Sequence, residues 1–125
     1  MSENYQDDMP PVTFDTLREI ALSLPDVEEG FTHGNPSFRV REKFLAVLKE
    51  DGETLALKMD QFDIDMLTAL EPDIYFITDH YVGWEMVLIR LPQIHPDDLR
   101  QHFEQAWRRR APKRLVAAYD KASSA

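Results

Sequence analysis

The chain has 125 residues, 43% of them hydrophobic and 30% charged, with no cysteine and a formal net charge of −9 at pH 7. That length suits one domain and leaves none for a second, and the composition is that of a globular protein with a true core. Without cysteine there is no thiolate metal site, iron–sulfur cluster, disulfide or cysteine nucleophile, and no run approaches the roughly 18 apolar residues of a membrane span.

Residues 1–11 carry Glu3, Asp7, Asp8 and a Pro-Pro pair, with neither a basic stretch nor an apolar run. They read as a flexible acidic tail rather than a targeting peptide, ahead of a single cytoplasmic domain over 12–122. Thr13 suits an N-cap, and Phe14, Leu17, Ala21 and Leu24 recur at helical spacing until Pro25. Over 26–36, Gly30, Gly34 and Pro36 interrupt every period, so this stretch reads as a loop.

Three strand-like runs follow, over 37–40, 44–49 and 54–59, and make an antiparallel meander. Register is decided by burial, because a one-residue slip sends every side chain to the other face. Pairing Val40 with Phe44 and Lys49 with Thr54 puts Phe38, Val40, Phe44, Ala46, Leu48, Leu55, Leu57 and Met59 on the core face. The opposite face then gathers Arg39, Arg41, Lys49 and Lys58 around Leu45, Val47, Thr54 and Ala56, with no acid among the paired residues.

Between Asp60 and Pro72, residues Phe62, Met66, Leu67 and Leu70 recur at helical spacing and predict a short second helix. Residues 74–78 and 84–91 are rich in β-branched and aromatic types and predict two further strands. Pro96, followed by Asp97 and Asp98, opens a helix whose Leu99, Phe103, Ala106 and Trp107 form one stripe, with His95 at its cap and His102 on its polar side. Pro112 starts a last helix that turns Leu115, Val116 and Tyr119 inward. The order α-β(3)-α-β(2)-α(2) predicts an α+β domain: a five-stranded antiparallel sheet with helices packed on one face.

The segments ALSLPDVEEGFTHGNPSFRVREKFLAVL (21–48), DHYVGWEMVLIRL (79–91) and PDDLRQHFEQAWRRRAPKRL (96–115) resemble the MmcQ/YjbR family, small proteins often labelled DNA-binding. The resemblance rests on the helix ending in Leu24-Pro25, the loop and strand that run from Phe31 through His33 to Phe38, Trp84 before the fifth strand, and the helix of Trp107. It implies a secretion-chaperone-like fold of the same element order. Where the family pattern leads one to expect a basic residue before the tryptophan, this chain has His80-Tyr81-Val82-Gly83-Trp84.

Charge is unevenly distributed. Residues 1–35 hold eight acids against Arg18, residues 36–99 hold thirteen against six bases, and residues 100–125 hold two against seven. Arg108, Arg109, Arg110, Lys113 and Arg114 suit phosphate contacts, and they equally suit the C-terminal end of a helix dipole. His33 and His80 fall in connections that can meet at one end of the sheet, where Trp84 offers a stacking surface.

No HExxH or His-x-His spacing, no Gly-rich phosphate loop and no G-x-S-x-G is present, so neither a metal, a cofactor nor a catalytic centre is expected. Two readings stand. In the first, a non-enzymatic protein binds DNA with little sequence selectivity, through Arg39, Arg41, Lys49, Lys58 and the basic residues of 108–114. In the second, a chaperone-like interaction module holds a peptide or small ligand near His33, His80 and Trp84; under either reading the protein is a monomer or homodimer. Neither involves a membrane.

Overall fold

The computed structural model describes residues 11–123, so most of the acidic tail read over 1–11 lies outside the described residues. Thr13 caps α1 (Phe14–Leu22), its Oγ1 accepting from Thr16 N, and the helix buries Leu17, Ile20 and Ala21. The chain then builds a six-stranded sheet from β1 (Val27–Thr32), β2 (Asn35–Val40), β3 (Lys43–Leu48), β4 (Thr54–Lys58), β5 (Tyr75–Phe76) and β6 (Met86–Arg90). The spatial order is β1-β2-β3-β4-β6-β5, and every neighbouring pair is antiparallel. α2 (Gln61–Leu70) connects β4 to β5, and α3 (Pro96–Arg110) and α4 (Lys113–Ser123) complete the fold.

The α+β class with helices on one sheet face holds, with one strand more than the sequence suggests. Residues 27–32, read as loop, form the edge strand β1, paired from Val27↔Val40 to Thr32↔Asn35. Its two acids and central glycine give it little strand propensity, and charges on an edge strand discourage pairing with other chains. The β1–β2 turn is the two residues His33 and Gly34, both at positive φ (52° and 83°), the combination that matches the twist of a tight hairpin.

The meander is zipped as expected at one end and differently at the other. Leu48 faces Leu55, and Lys49 N donates to Thr54 O at 2.8 Å, so the β3–β4 register is the predicted one. Between β2 and β3 the expected register covers Ser37↔Val47 and Phe38↔Ala46, then slips to Arg39↔Phe44 and Val40↔Lys43. The extra residue is Leu45, a β-bulge that lets Leu45 and Ala46 both enter the core. Phe44, predicted inside, therefore turns to the opposite face, where the Arg39 guanidinium lies 5.3 Å from its ring centroid.

The main core lies between the sheet and the helices. Phe38, Leu45, Leu55, Leu57 and Ile89 pack with Leu17 of α1, Ile64 of α2 and Leu99, Phe103 and Trp107 of α3, all of them almost fully buried. Phe38 and Phe103 meet edge to face at 6.0 Å, and Trp107 Nε1 donates to Pro25 O at 2.9 Å, so the largest buried ring has its polar atom satisfied. His95 caps α3, its Nδ1 accepting from Asp97 N at 3.0 Å. His102 is not on a polar surface: its Nε2 lies 2.7 Å from Tyr75 Oη, and burial lowers its pKa despite Asp98, Asp63 and Glu71 nearby.

A small second cluster, Val47, Ala56, Met86 and Leu88 with Phe44, Phe76 and Tyr81 against it, covers the other sheet face. No α-helix contributes to that cluster, and the candidate site opens there.

A ring-and-cation groove on the open sheet face

The groove grows out of strand alternation. Residues pointing away from the helices include Ser37 and Arg39 of β2, Phe44 and Val47 of β3, Ala56 and Lys58 of β4, and Met86 and Leu88 of β6. Apolar residues make the floor and longer polar ones rise at its edges. The connection between β5 and β6, with a 3-10 turn at Asp79–Tyr81, overhangs this face and supplies His80, Tyr81 and Trp84. At the far side, the tip of the β1–β2 hairpin contributes Thr32, His33 and Asn35, and the end of α3 contributes Arg110.

These parts enclose a groove of about 570 Å³. A second hollow of about 450 Å³ lies beside it, lined by Thr54, Phe76, Thr78 and Leu88, and the two share Lys49, Glu50, His80 and Tyr81. The shared wall is a built contact: Lys49 Nζ donates to Tyr81 Oη at 2.8 Å and lies 5.2 Å from the ring centroid. That hydrogen bond raises the Lys49 pKa, against burial.

Lys58 donates to Trp84 O at 2.9 Å, which ties the overhanging connection to β4. Burial, and then the neighbouring Arg110 and Arg109 guanidinium groups, hold the Lys58 ammonium below its usual pKa. Arg110 Nε is buried with no hydrogen-bond partner among the described residues. This corner therefore carries concentrated positive charge, which favours an acceptor-rich anion. Among the described residues Glu50 is the one acid lining the groove, its pKa lowered by its own backbone N–H and then by the Asn35 side chain and Lys49.

The predicted site residues divide accordingly. His33, His80 and Trp84 all line the one groove, as the second reading requires, and Lys49, Lys58 and Arg110 from the first reading line it with them. Arg39 shares the open face but is engaged with Phe44 and with Thr32 Oγ1 at 3.3 Å, and its cross-strand partner is Glu28. The open face is therefore not free of acids, because β1 supplies one that the loop reading left out.

Arg41 is not on that platform. It sits in the β2–β3 turn at a φ of 48° and is salt-bridged to Asp26. Arg108 is held by Glu104 at 3.0 Å and by Asp120 at 2.6 Å, pairings that raise its pKa and leave its charge neutralised locally. Arg109 lies 3.8 Å from Asp60, and Lys113 and Arg114 are exposed at the start of α4. The basic segment 108–114 is thus dispersed among carboxylates, the open-face groove and solvent rather than gathered on one surface.

Phe44 and Tyr81 are groove residues that sequence reasoning missed. Phe44 is hidden by the bulge, which no local composition marks, whereas Tyr81 was legible as the aromatic residue between His80 and Trp84. Among the described residues no cluster of three or more His, Asp or Glu side chains is arranged to hold a metal ion, and no helix is long and apolar enough to cross a membrane.

Fold and groove together define a small α+β domain with one helix-covered and one open sheet face. The chain belongs to the YjbR family, whose model matches residues 22–109, a span that includes every groove residue named above except Arg110. Two mycobacterial proteins of uncharacterised role, Mb2600 of Mycobacterium bovis and Rv2570 of Mycobacterium tuberculosis, are each 31% identical over 125 residues, covering 86% of this chain and 95% of the relative. The crystal structure of protein DR2400 from Deinococcus radiodurans, with its DUF419 domain, aligns with a TM-score of 0.68 at 21% identity. That alignment covers 79% of this chain and 78% of the other, and it establishes the shared fold.

Proposed function

We propose that this YjbR-family chain is a cytoplasmic, non-enzymatic binding module whose working surface is the open-face groove. Its ligand would be a peptide or small molecule that carries an anionic group beside a flat or apolar one. The single observation that carries this reading is the convergence of Phe44, Tyr81 and Trp84 with Lys49, Lys58 and Arg110 around one hollow of about 570 Å³. Rings recognise flat or apolar groups and the cations recognise carboxylate or phosphate, the usual division of labour in a ligand pocket. Ser37, on the open side of β2, is buried and accepts from Thr32 Oγ1 at 3.0 Å, a poor position for a nucleophile.

The test is a titration of ¹⁵N-labelled protein with short acidic peptides containing Trp or Tyr, and with aromatic carboxylates. Saturable shifts confined to His33, Lys49, His80, Tyr81 and Trp84 support the reading. Shifts elsewhere, or none at millimolar ligand, sink it.

A second reading, DNA binding, is favoured by one observation: Arg39, Lys49 and Lys58 do share an open face of an otherwise acidic protein. Against it, Arg41 and Arg108 are engaged by carboxylates. Duplex DNA affinity that falls steeply with salt, and that Lys49→Ala with Lys58→Ala abolishes, would favour it.

A further inference from the structure

We propose that the solvent-facing side of α2 is a docking surface for a basic amphipathic helix of a partner protein, a site separate from the groove. Phe62, Met66 and Leu70 follow one another at four-residue intervals and therefore form one stripe along the helix. They are 72%, 42% and 71% exposed, although all three are large apolar side chains.

The helix does not need this stripe to stay attached. Its other side anchors it through Ile64, 1% exposed, and Leu67, which packs on the core. A helix apolar on two sides has one side left for something else, and contiguous exposed apolar side chains mark interaction sites.

Charge selects the occupant. Asp63 and Asp65 flank the stripe, one on each side, and residues 60–73 contain five acids and no base. The cations nearest α2 lie toward its ends: Arg109 is 3.8 Å from Asp60 and, with Lys58, shares a hollow with Asp63, and Arg90 reaches Pro72 O at 3.1 Å, so Asp65 and the middle of the stripe have no cation beside them in these contacts. A second copy docked through the same helix would set Asp63 and Asp65 against their like, since a two-fold interface brings identical patches together.

The chain's own segment 1–10 has Glu3, Asp7 and Asp8 and no base, so it lacks the complementary side-chain charge. The basic helix α4 of another copy directs Leu115, Val116 and Tyr119 into its own core and has no comparable apolar stripe to offer. What fits is a helix with leucine-like residues at matching spacing and Lys or Arg along both edges, the helix-in-groove mode with charged flanks setting specificity.

Two synthetic helical peptides with the same leucine stripe, one flanked by Lys and one by Glu, provide the test by calorimetry on the full chain at low salt. The Lys-flanked peptide is expected to bind saturably and the Glu-flanked one not to bind. Phe62→Ser with Leu70→Ser should weaken binding by about tenfold or more while leaving the thermal midpoint unchanged, because both side chains are exposed. Asp63→Asn with Asp65→Asn should weaken it several-fold and flatten its salt dependence.

Equal binding of both peptides, no binding, or binding that survives Phe62→Ser with Leu70→Ser overturns the proposal. So does a concentration-dependent dimer that the same pair of substitutions abolishes, since the occupant would then be a second copy.

Discussion

The two faces of one sheet use similar side chains to opposite ends. On the covered face, Phe38, Phe103 and Trp107 are fully buried and each contacts another ring or a backbone acceptor. On the open face Trp84 is 64% exposed, while Phe44 and Tyr81 are half-buried beside cations. Burial of an aromatic ring stabilises a fold; the same ring left half-open beside an ammonium group stabilises whatever arrives to cover it. On the proposed reading, stability and recognition fall to different sides of a layer one residue thick.

The largest expected effect separates the two tryptophans. Trp107→Ala should cost about 3–5 kcal/mol by urea unfolding, because it removes a fully buried ring and strands Pro25 O. Trp84→Ala should change stability by no more than about 0.5 kcal/mol yet abolish shifts on ligand addition in the groove. Equal costs for the two would dissolve the contrast between faces. Next, Lys49→Ala with Lys58→Ala should lower affinity for acidic aromatic peptides by about tenfold, with a urea midpoint close to the parent's. A large drop in midpoint would instead make the two lysines braces for the 79–85 connection.

A smaller effect is expected from His102, on the covered side. Its folded pKa is lowered, so below the unfolded value of about 6.5 the unfolded chain binds more protons than the folded one. Stability should therefore fall as pH drops through that value toward the lowered folded pKa, above the range where Asp and Glu titrate. Thermal midpoints between pH 7.5 and 5 should show this decline, and His102→Gln should flatten it. Smallest of all, Arg108→Ala should leave both faces intact and only increase amide exchange in α4, because it removes the Glu104–Arg108–Asp120 link between α3 and α4.

Sequence patterning was most informative where local chemistry and tertiary packing agree. Thr13, Pro25 and the stripe Leu99, Phe103, Ala106 and Trp107 carry cap, stop and period in a few residues, and the helices lie where these signals put them. β1 escaped because Glu28, Glu29 and Gly30 hold no strand signal of their own; only pairing with β2 makes them extended. In α2 the helical period was visible, but period does not say which side faces inward, and Ile64 rather than Phe62 took the core.

His33, His80 and Trp84 were legible as companions because each sits in a connection near a sheet end. The scatter of 108–114 was not, because the partners of Arg108 and Arg109 lie on other elements.

The bulge at Leu45 has a consequence for how this fold tolerates change. In an uninterrupted strand the in–out parity set at one end persists to the other, so a length change in the 41–42 turn would upset the core. Here the parity is reset at Leu45, and Lys43 and Phe44 are out of phase with Ala46 to Leu48. Insertions or deletions before the bulge are therefore expected to redecorate the open face while the interior keeps its phase, a mechanical clutch between the part that must stay constant and the part free to diversify.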